Sequence, residues 1–304
     1  MITALMYSLL IASGMMSGQT GPDSTVTNTD GTIFTYRDFP SRYIEPLTVE
    51  VWVPTQYGKS DTGRYAVLYM HDGQNLFDPK LSTMGMAWEI DKTAARLMRE
   101  GKIRNTIIVG VRSPRRRERE YQPQGAYEMF DDSLRASFDR QYGGPPLSDG
   151  YLRFLVEEVK PFVDAHYRTM ADRGNTFIMG SSRGGLISLY ALERYPQVFS
   201  GAGCLSTHWP IHTHVNIRRF GETMVRYFAA HLPDPRTVRI YFDFGTETLD
   251  AVYEPYQTMM DSVMAARGFG RGTDWMTKKF PGDGHSEKFW SKRVDIPLEF
   301  LLRP

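Results

Sequence analysis

One serine in this chain stands where a hydroxyl can be made into a nucleophile. The short apolar run Thr176-Phe177-Ile178-Met179 passes into Gly180-Ser181-Ser182-Arg183-Gly184-Gly185, and Leu186-Ile187-Ser188-Leu189-Tyr190 continues as the start of a helix. Gly180, Ser182 and Gly184 match G-x-S-x-G. Between a strand and a helix this spacing describes a sharp turn that thrusts the central serine outward. The positions two before and two after it come close together, so glycine is expected at both. Ser181 and Ser188 lack those flanking glycines. The chemistry implied is acyl transfer through a covalent intermediate.

A serine hydroxyl is a weak nucleophile near neutral pH. It needs a base, and the base needs an orienting carboxylate. For a serine on such a turn the partners follow in the order acid, then histidine. Of His208, His212, His214, His231 and His285, only His285 sits in a Gly-rich loop beyond the last predicted strand, Pro281-Gly282-Asp283-Gly284-His285-Ser286. The acid is expected after the penultimate strand, in Gly245-Thr246-Glu247-Thr248-Leu249-Asp250. Asp250 is the first choice and Glu247 the alternative, although either can cap the helix that follows. Asp243 lies inside the strand, and Asp283 is placed to shape its turn. Two donors must meet the developing oxyanion. One is the backbone N–H of Arg183. The other belongs to the loop His71-Asp72-Gly73-Gln74-Asn75-Leu76-Phe77-Asp78, at Gly73 or Gln74.

These residues need a frame to hold them. Thr32 to Phe39 and Leu47 to Val53 read as two strands, the second alternating at Val49, Val51 and Val53. Tyr65–Met70, Thr106–Val111, Thr176–Met179, Gly201–Leu205, Arg239–Phe244 and Trp275–Phe280 are further strands. Helices are expected over Trp88–Arg99, Tyr151–Tyr167, Gly185–Arg194, Pro255–Arg267 and Ile296–Leu302, from apolar residues at helical spacing. Short, wholly apolar strands alternating with helices imply a mostly parallel sheet covered on both faces, with an antiparallel N-terminal edge. Residues 113–150, rich in Arg, Gly and Pro, are the least regular interval and are expected to wall or cap a site.

With these blocks in view, the chain resembles the esterase family of α/β-hydrolases that includes esterase D, feruloyl esterases, enterochelin-type siderophore esterases and mycolyl transferases. The resemblance rests on Tyr69 to Asp78, the turn at Ser182, Thr207-His208-Trp209, Asp243-Phe244-Gly245-Thr246, and Gly284-His285-Ser286-Glu287 with Trp290. It implies an α/β-hydrolase fold, a Ser182–Asp250–His285 triad and no metal or other cofactor. It leaves the substrate open, since the fold hosts many functions. Acyl or feruloyl esters of carbohydrate are the expected substrates. A siderophore esterase, an acyltransferase with the same triad, or a catalytically silent binding module are the alternatives. His71, Asp72, His208 and Trp209 are expected to line a substrate pocket. Arg183 stands where such esterases often have Met, and its guanidinium is expected to form a salt bridge or to meet an anionic substrate group.

Composition narrows the rest. The 304 residues carry 36 Lys and Arg against 35 Asp and Glu, which gives no reason to expect nucleic acid or an anionic membrane as partner. The single cysteine, Cys204, forbids an intrachain disulfide and reads as a small buried hydrophobe. His212-x-His214 raises zinc, but no carboxylate or base accompanies it. The run Arg115-Arg116-Arg117-Glu118-Arg119-Glu120 reads as a solvated loop or as a patch for an acidic polysaccharide or a partner. Ile2 to Met16 is apolar and short, followed by small Ser17 and Gly18. Residues 1–18 are therefore expected to be a signal peptide of a secreted or periplasmic protein, although no Lys or Arg precedes the apolar stretch. A cytoplasmic location is the alternative. A polar leader is expected over 19–30, and one catalytic domain over 31–304.

Overall fold

The β-branched and aromatic runs do form strands, and the site is built on their ends. The computed structural model describes residues 21–59, 62–212 and 217–304. In chain order they fold as β1 (Ser24–Thr27), β2 (Gly31–Phe39), β3 (Leu47–Pro54), β4 (Ala66–His71), α1 (Ile90–Arg99), β5 (Thr106–Val111), α2 (Arg117–Glu120), α3 (Gln124–Glu128), α4 (Asp132–Tyr142) and α5 (Ser148–Arg153). A π-helical turn, Phe154–Val159, joins α5 to α6 (Lys160–His166). There follow β6 (Thr176–Ser181), α7 (Arg183–Arg194), β7 (Gly201–Leu205), α8 (Ile217–His231), β8 (Arg239–Gly245), α9 (Glu254–Ala266), β9 (Trp275–Phe280), α10 (Glu287–Arg293) and α11 (Asp295–Leu302).

The strands make one sheet in the order β1-β2-β3-β5-β4-β6-β7-β8-β9. From β1 to β5 the pairings are antiparallel, and from β5 through β4 to β9 they are parallel. This is the α/β-hydrolase arrangement expected. Alternation along each strand splits its side chains between two cores. Val67 and Tyr69 of β4 pack on one face with Leu186 and Phe220, while Leu68 and Met70 pack on the other with Leu97 and Leu298.

Two expectations change. The leader is polar but belongs in part to the fold, because Ser24–Thr27 pairs antiparallel with Thr32–Thr35 as the edge strand. Residues 1–18, where the signal peptide is expected, lie outside the described residues. The interval 113–150, expected to be irregular, holds α2, α3 and α4, and Ser113, Pro114, Arg115, Arg117 and Glu118 near its start contribute to the wall of the cleft described below. The spacing of Leu134 and Phe138 on α4, and of Ala126 on α3, buries an apolar face against the rest of the core.

Candidate active site

The C-terminal ends of β4, β6 and β8 and the loop after β9 converge, as is usual for sites on open α/β sheets. At the end of β6, Ser182 takes φ 59° and ψ −123°, a conformation L residues avoid, and caps α7. A Cβ on Gly180 would stand 2.9 Å from the Gly184 backbone, so glycine is required there. A Cβ on Gly184 would meet nothing nearer than 3.5 Å. The expectation that both positions need glycine therefore holds for Gly180 alone, because the tight approach is between backbones and only one Cβ points into it.

Ser182, His285 and Gln74 line one cleft of about 480 Å³, together with Asp72, Asn75, Met84, Ser113, Arg115, Arg117, Glu118, Glu287 and Trp290. His285 Nδ1 lies 2.6 Å from Asp250 Oδ1, and its backbone N–H donates to Thr248 Oγ1 at 2.8 Å. The edges of Trp290 and Tyr253 meet its ring at 5.0 and 5.8 Å between centroids. Asp250 is fully buried. Its second oxygen accepts from Ser206 Oγ and from the Gly245 N–H, each at 2.6 Å. Burial pushes its carboxyl up, but the His285 contact and these two donors outweigh that and hold it below the usual carboxylate range. Glu247, the alternative acid, is exposed at the start of the Thr248–Val252 turn, and the His285 contact is made by Asp250.

Ser206 is a residue that sequence reasoning missed. It holds φ 42°, donates to Asp250, and accepts from Trp290 Nε1 at 2.9 Å and Arg293 Nη2 at 3.0 Å. Arg293 in turn binds Asp243 and Asp283. Asp243 and Asp283 thus anchor the floor beneath Asp250. The only sequence signal was the Glu287/Trp290 spacing of a helix, α10, that carries Arg293 on the same face.

Around the 71–78 loop, Asp72 sits in a left-handed turn at φ 57° and receives Arg117 at both carboxylate oxygens, 2.7 Å each, and Ser113 Oγ. Burial would raise its carboxyl, but Arg117 holds it down. Gly73 packs against β5, where a Cβ would stand 2.8 Å from Gly110, and it lines a neighbouring cavity rather than the cleft. Gln74 lines the cleft, its side chain locked on Ser113 by bonds of 2.7 and 2.9 Å. Asn75 donates to Glu287 Oε1 at 2.9 Å, and burial pushes the Glu287 carboxyl up.

Three of the four pocket residues expected are not on the cleft. His71 is buried, its Nδ1 on Tyr151 Oη at 2.8 Å, and burial lowers it to about 3. His208 is buried against Tyr253 Oη at 2.7 Å and is likewise held neutral by burial. Trp209 is buried between Phe228 and Phe242 and donates to Gln257. His71 turned inward beside Asp72, which faces the cleft, while His208 and Trp209 lie wholly in the core. The Arg183 guanidinium is buried too. It forms no salt bridge among the described residues, but donates to the carbonyls of Glu118 and Ile211 and stacks on Tyr142 at 4.6 Å. Arg117 is an ion-pair partner rather than part of a solvated loop. His212 is buried against Phe220, and His214 lies outside the described residues.

A family sequence profile described as "Putative esterase" matches residues 42–293, most of the chain. The chain belongs to this esterase family. As a member it is a carboxylic ester hydrolase, and it is similar to several characterised and uncharacterised proteins. It is 23% identical over 280 residues to Uncharacterized protein YjcH of Bacillus subtilis (strain 168), covering 90% of this chain and 98% of that one. It is 26% identical over 198 residues to an Endo-1,4-beta-xylanase/feruloyl esterase of Xylanibacter ruminicola, which covers 64% of this chain and 22% of that protein. Among solved structures, a ferulic acid esterase superposes with a TM-score of 0.64 at 19% identity, over 90% of this chain and 98% of its own. Among the described residues no helix of this esterase is long and apolar enough to cross a membrane.

Proposed function

We propose that this esterase works by a Ser182–Asp250–His285 triad through an acyl-enzyme, on acyl or feruloyl esters of carbohydrate. The observation that carries the reading is the 2.6 Å His285–Asp250 pair, opening onto the cleft that also receives Ser182 from its strained turn. His285 takes the Ser182 proton as the hydroxyl attacks the ester carbonyl. The Arg183 N–H is the first of α7, without a helical acceptor, and meets the oxyanion. The second donor is Gln74 rather than Gly73, because Gln74 is the one on the cleft. The alcohol departs with the proton from His285, and water repeats the sequence on the acyl-enzyme. Asp250 fixes the ring and stabilises its charged form.

The carbohydrate part of the reading is supported by the polar cleft, where Gln74, Asn75, Ser113 and Glu287 offer hydrogen bonds, and by the likeness to feruloyl esterases. A screen of feruloylated, acetylated and siderophore esters tests it. The expected result is the highest kcat/KM on a sugar ester, and preference for a siderophore ester overturns it. Residues 1–18 are proposed to be a cleaved signal peptide, the site near Gly18 leaving β1 intact. N-terminal sequencing of protein recovered outside the cytoplasm checks this, and an intact Met1 there would contradict it.

A further inference from the structure

The arginine run divides its work. Arg117 is committed to Asp72, but Arg115, Arg116 and Arg119 wall a second cavity of about 380 Å³ with Glu118, Gln141 and Tyr142. Arg115 and Glu118 line both this cavity and the catalytic cleft, so the two hollows share a wall. Three arginines and one glutamate thus line it, in a chain whose charges otherwise nearly balance. Their partners are loose or neutral. Arg115 and Arg116 reach Glu45 only at 4.0 and 3.9 Å, while Arg119 spends its Nε on the Pro145 carbonyl at 2.7 Å. Behind the Tyr142 wall lies the buried Arg183 guanidinium, held by carbonyls rather than a carboxylate among the described residues. A cation in a low-dielectric wall projects its field further than one in water. Arginine forks match planar oxyanions in two-point hydrogen bonds.

We propose that this cavity is an anion subsite, and that it takes the carboxylate of an acidic sugar, of the uronate type, next to the sugar that bears the ester. Its catalytic consequence rests on the esterase reading above; its binding does not. The cavity is large enough for a sugar ring, and Gln141 and Tyr142 add a hydrogen-bonding group and an aromatic wall to the arginines.

The test has two arms. An unesterified uronate disaccharide and its neutral hexose counterpart are titrated into the full chain and into Arg116→Gln/Arg119→Gln. The uronate is expected to bind at least about tenfold more tightly than the neutral sugar, and the double variant and raised salt to remove most of that preference. Arg116→Gln alone, which keeps the Arg119–Pro145 bond, serves if the double variant does not fold. Equal binding of the two sugars, or full uronate binding by the variant, overturns the subsite. In the second arm the ratio of kcat/KM for the acetylated uronate and acetylated neutral disaccharides is compared. It should fall about tenfold in the variant, through KM. Selective binding with no hydrolysis of either ester would sink the esterase reading and leave the subsite. Equal hydrolysis of both esters, without selective binding, would do the reverse.

Discussion

Asp250 and Glu247 are only three residues apart, yet they differ in every property that decides which can serve a histidine. Asp250 is buried, is held ionised by two donors besides His285, and stands 2.6 Å from the ring. Asp250→Asn is therefore expected to lower kcat by about 10³–10⁴-fold with the fold retained, as loss of an orienting carboxylate does. Glu247→Gln should stay within about twofold of the wild type. Steady-state rates on a chromogenic acetate ester read both, and equal losses would reverse the assignment. The His285–Asp250 contact was legible because chain order and loop position constrain it. The inward turn of His71 was not, because adjacency to the cleft residue Asp72 does not say which side a chain-neighbour takes.

At the scale of elements, the turn at Ser182 is a backbone-to-backbone contact between the end of β6 and the start of α7. Gly180→Ala forces a Cβ to 2.9 Å from Gly184 and should destabilise the protein by about 1–3 kcal/mol, with loss of activity. Gly184→Ala should cost less, since its Cβ finds ordinary contact distance. Thermal melts and rates of the pair test this, and equal tolerance would show that the turn is looser than described. The 71–78 loop depends instead on charge. Arg117→Met strands Asp72 in a buried position and should cost about 3–5 kcal/mol in urea unfolding, the penalty of an unpaired buried charge. A change below about 1 kcal/mol would mean the carboxyl finds water. Neither α2 nor the Arg117 pairing was legible, because a run of alternating charges has no apolar period to announce a helix. The helix α8 did have one, in Phe220, Met224, Tyr227 and Phe228 at helical spacing, and it went unread.

The whole molecule carries a record of its burial in its pH response. His71 has its proton affinity lowered from 6.5 to about 3 by burial, and His208 is lowered by the same cause. Between those pH values the unfolded chain binds protons that the folded chain refuses, so stability falls as pH drops below 6.5 and the loss is complete only below about 3. The buried carboxyls of Asp243 and Glu287 are raised and act in the opposite sense, so a difference measurement isolates the histidine. His71→Asn should flatten the fall of unfolding free energy with acidification, by at most about 1.4 kcal/mol per pH unit. An unchanged slope would mean that His71 already titrates in the folded state. The mostly parallel sheet with its antiparallel N-terminal edge was legible because short apolar strands alternating with helices leave few topologies, whereas the order of its strands was not. The edge strand Ser24–Thr27 was not, because an exposed polar strand has no buried face to betray it.

The central claim is that Ser182 is the nucleophile, and covalent labelling addresses it most directly. A fluorophosphonate should add one adduct to the wild-type chain, on Ser182 by peptide mapping. Ser182→Ala should take up none and should lose hydrolysis of a chromogenic acetate ester while melting at the same temperature. An adduct on another residue, or full hydrolysis by the alanine variant, would contradict the account.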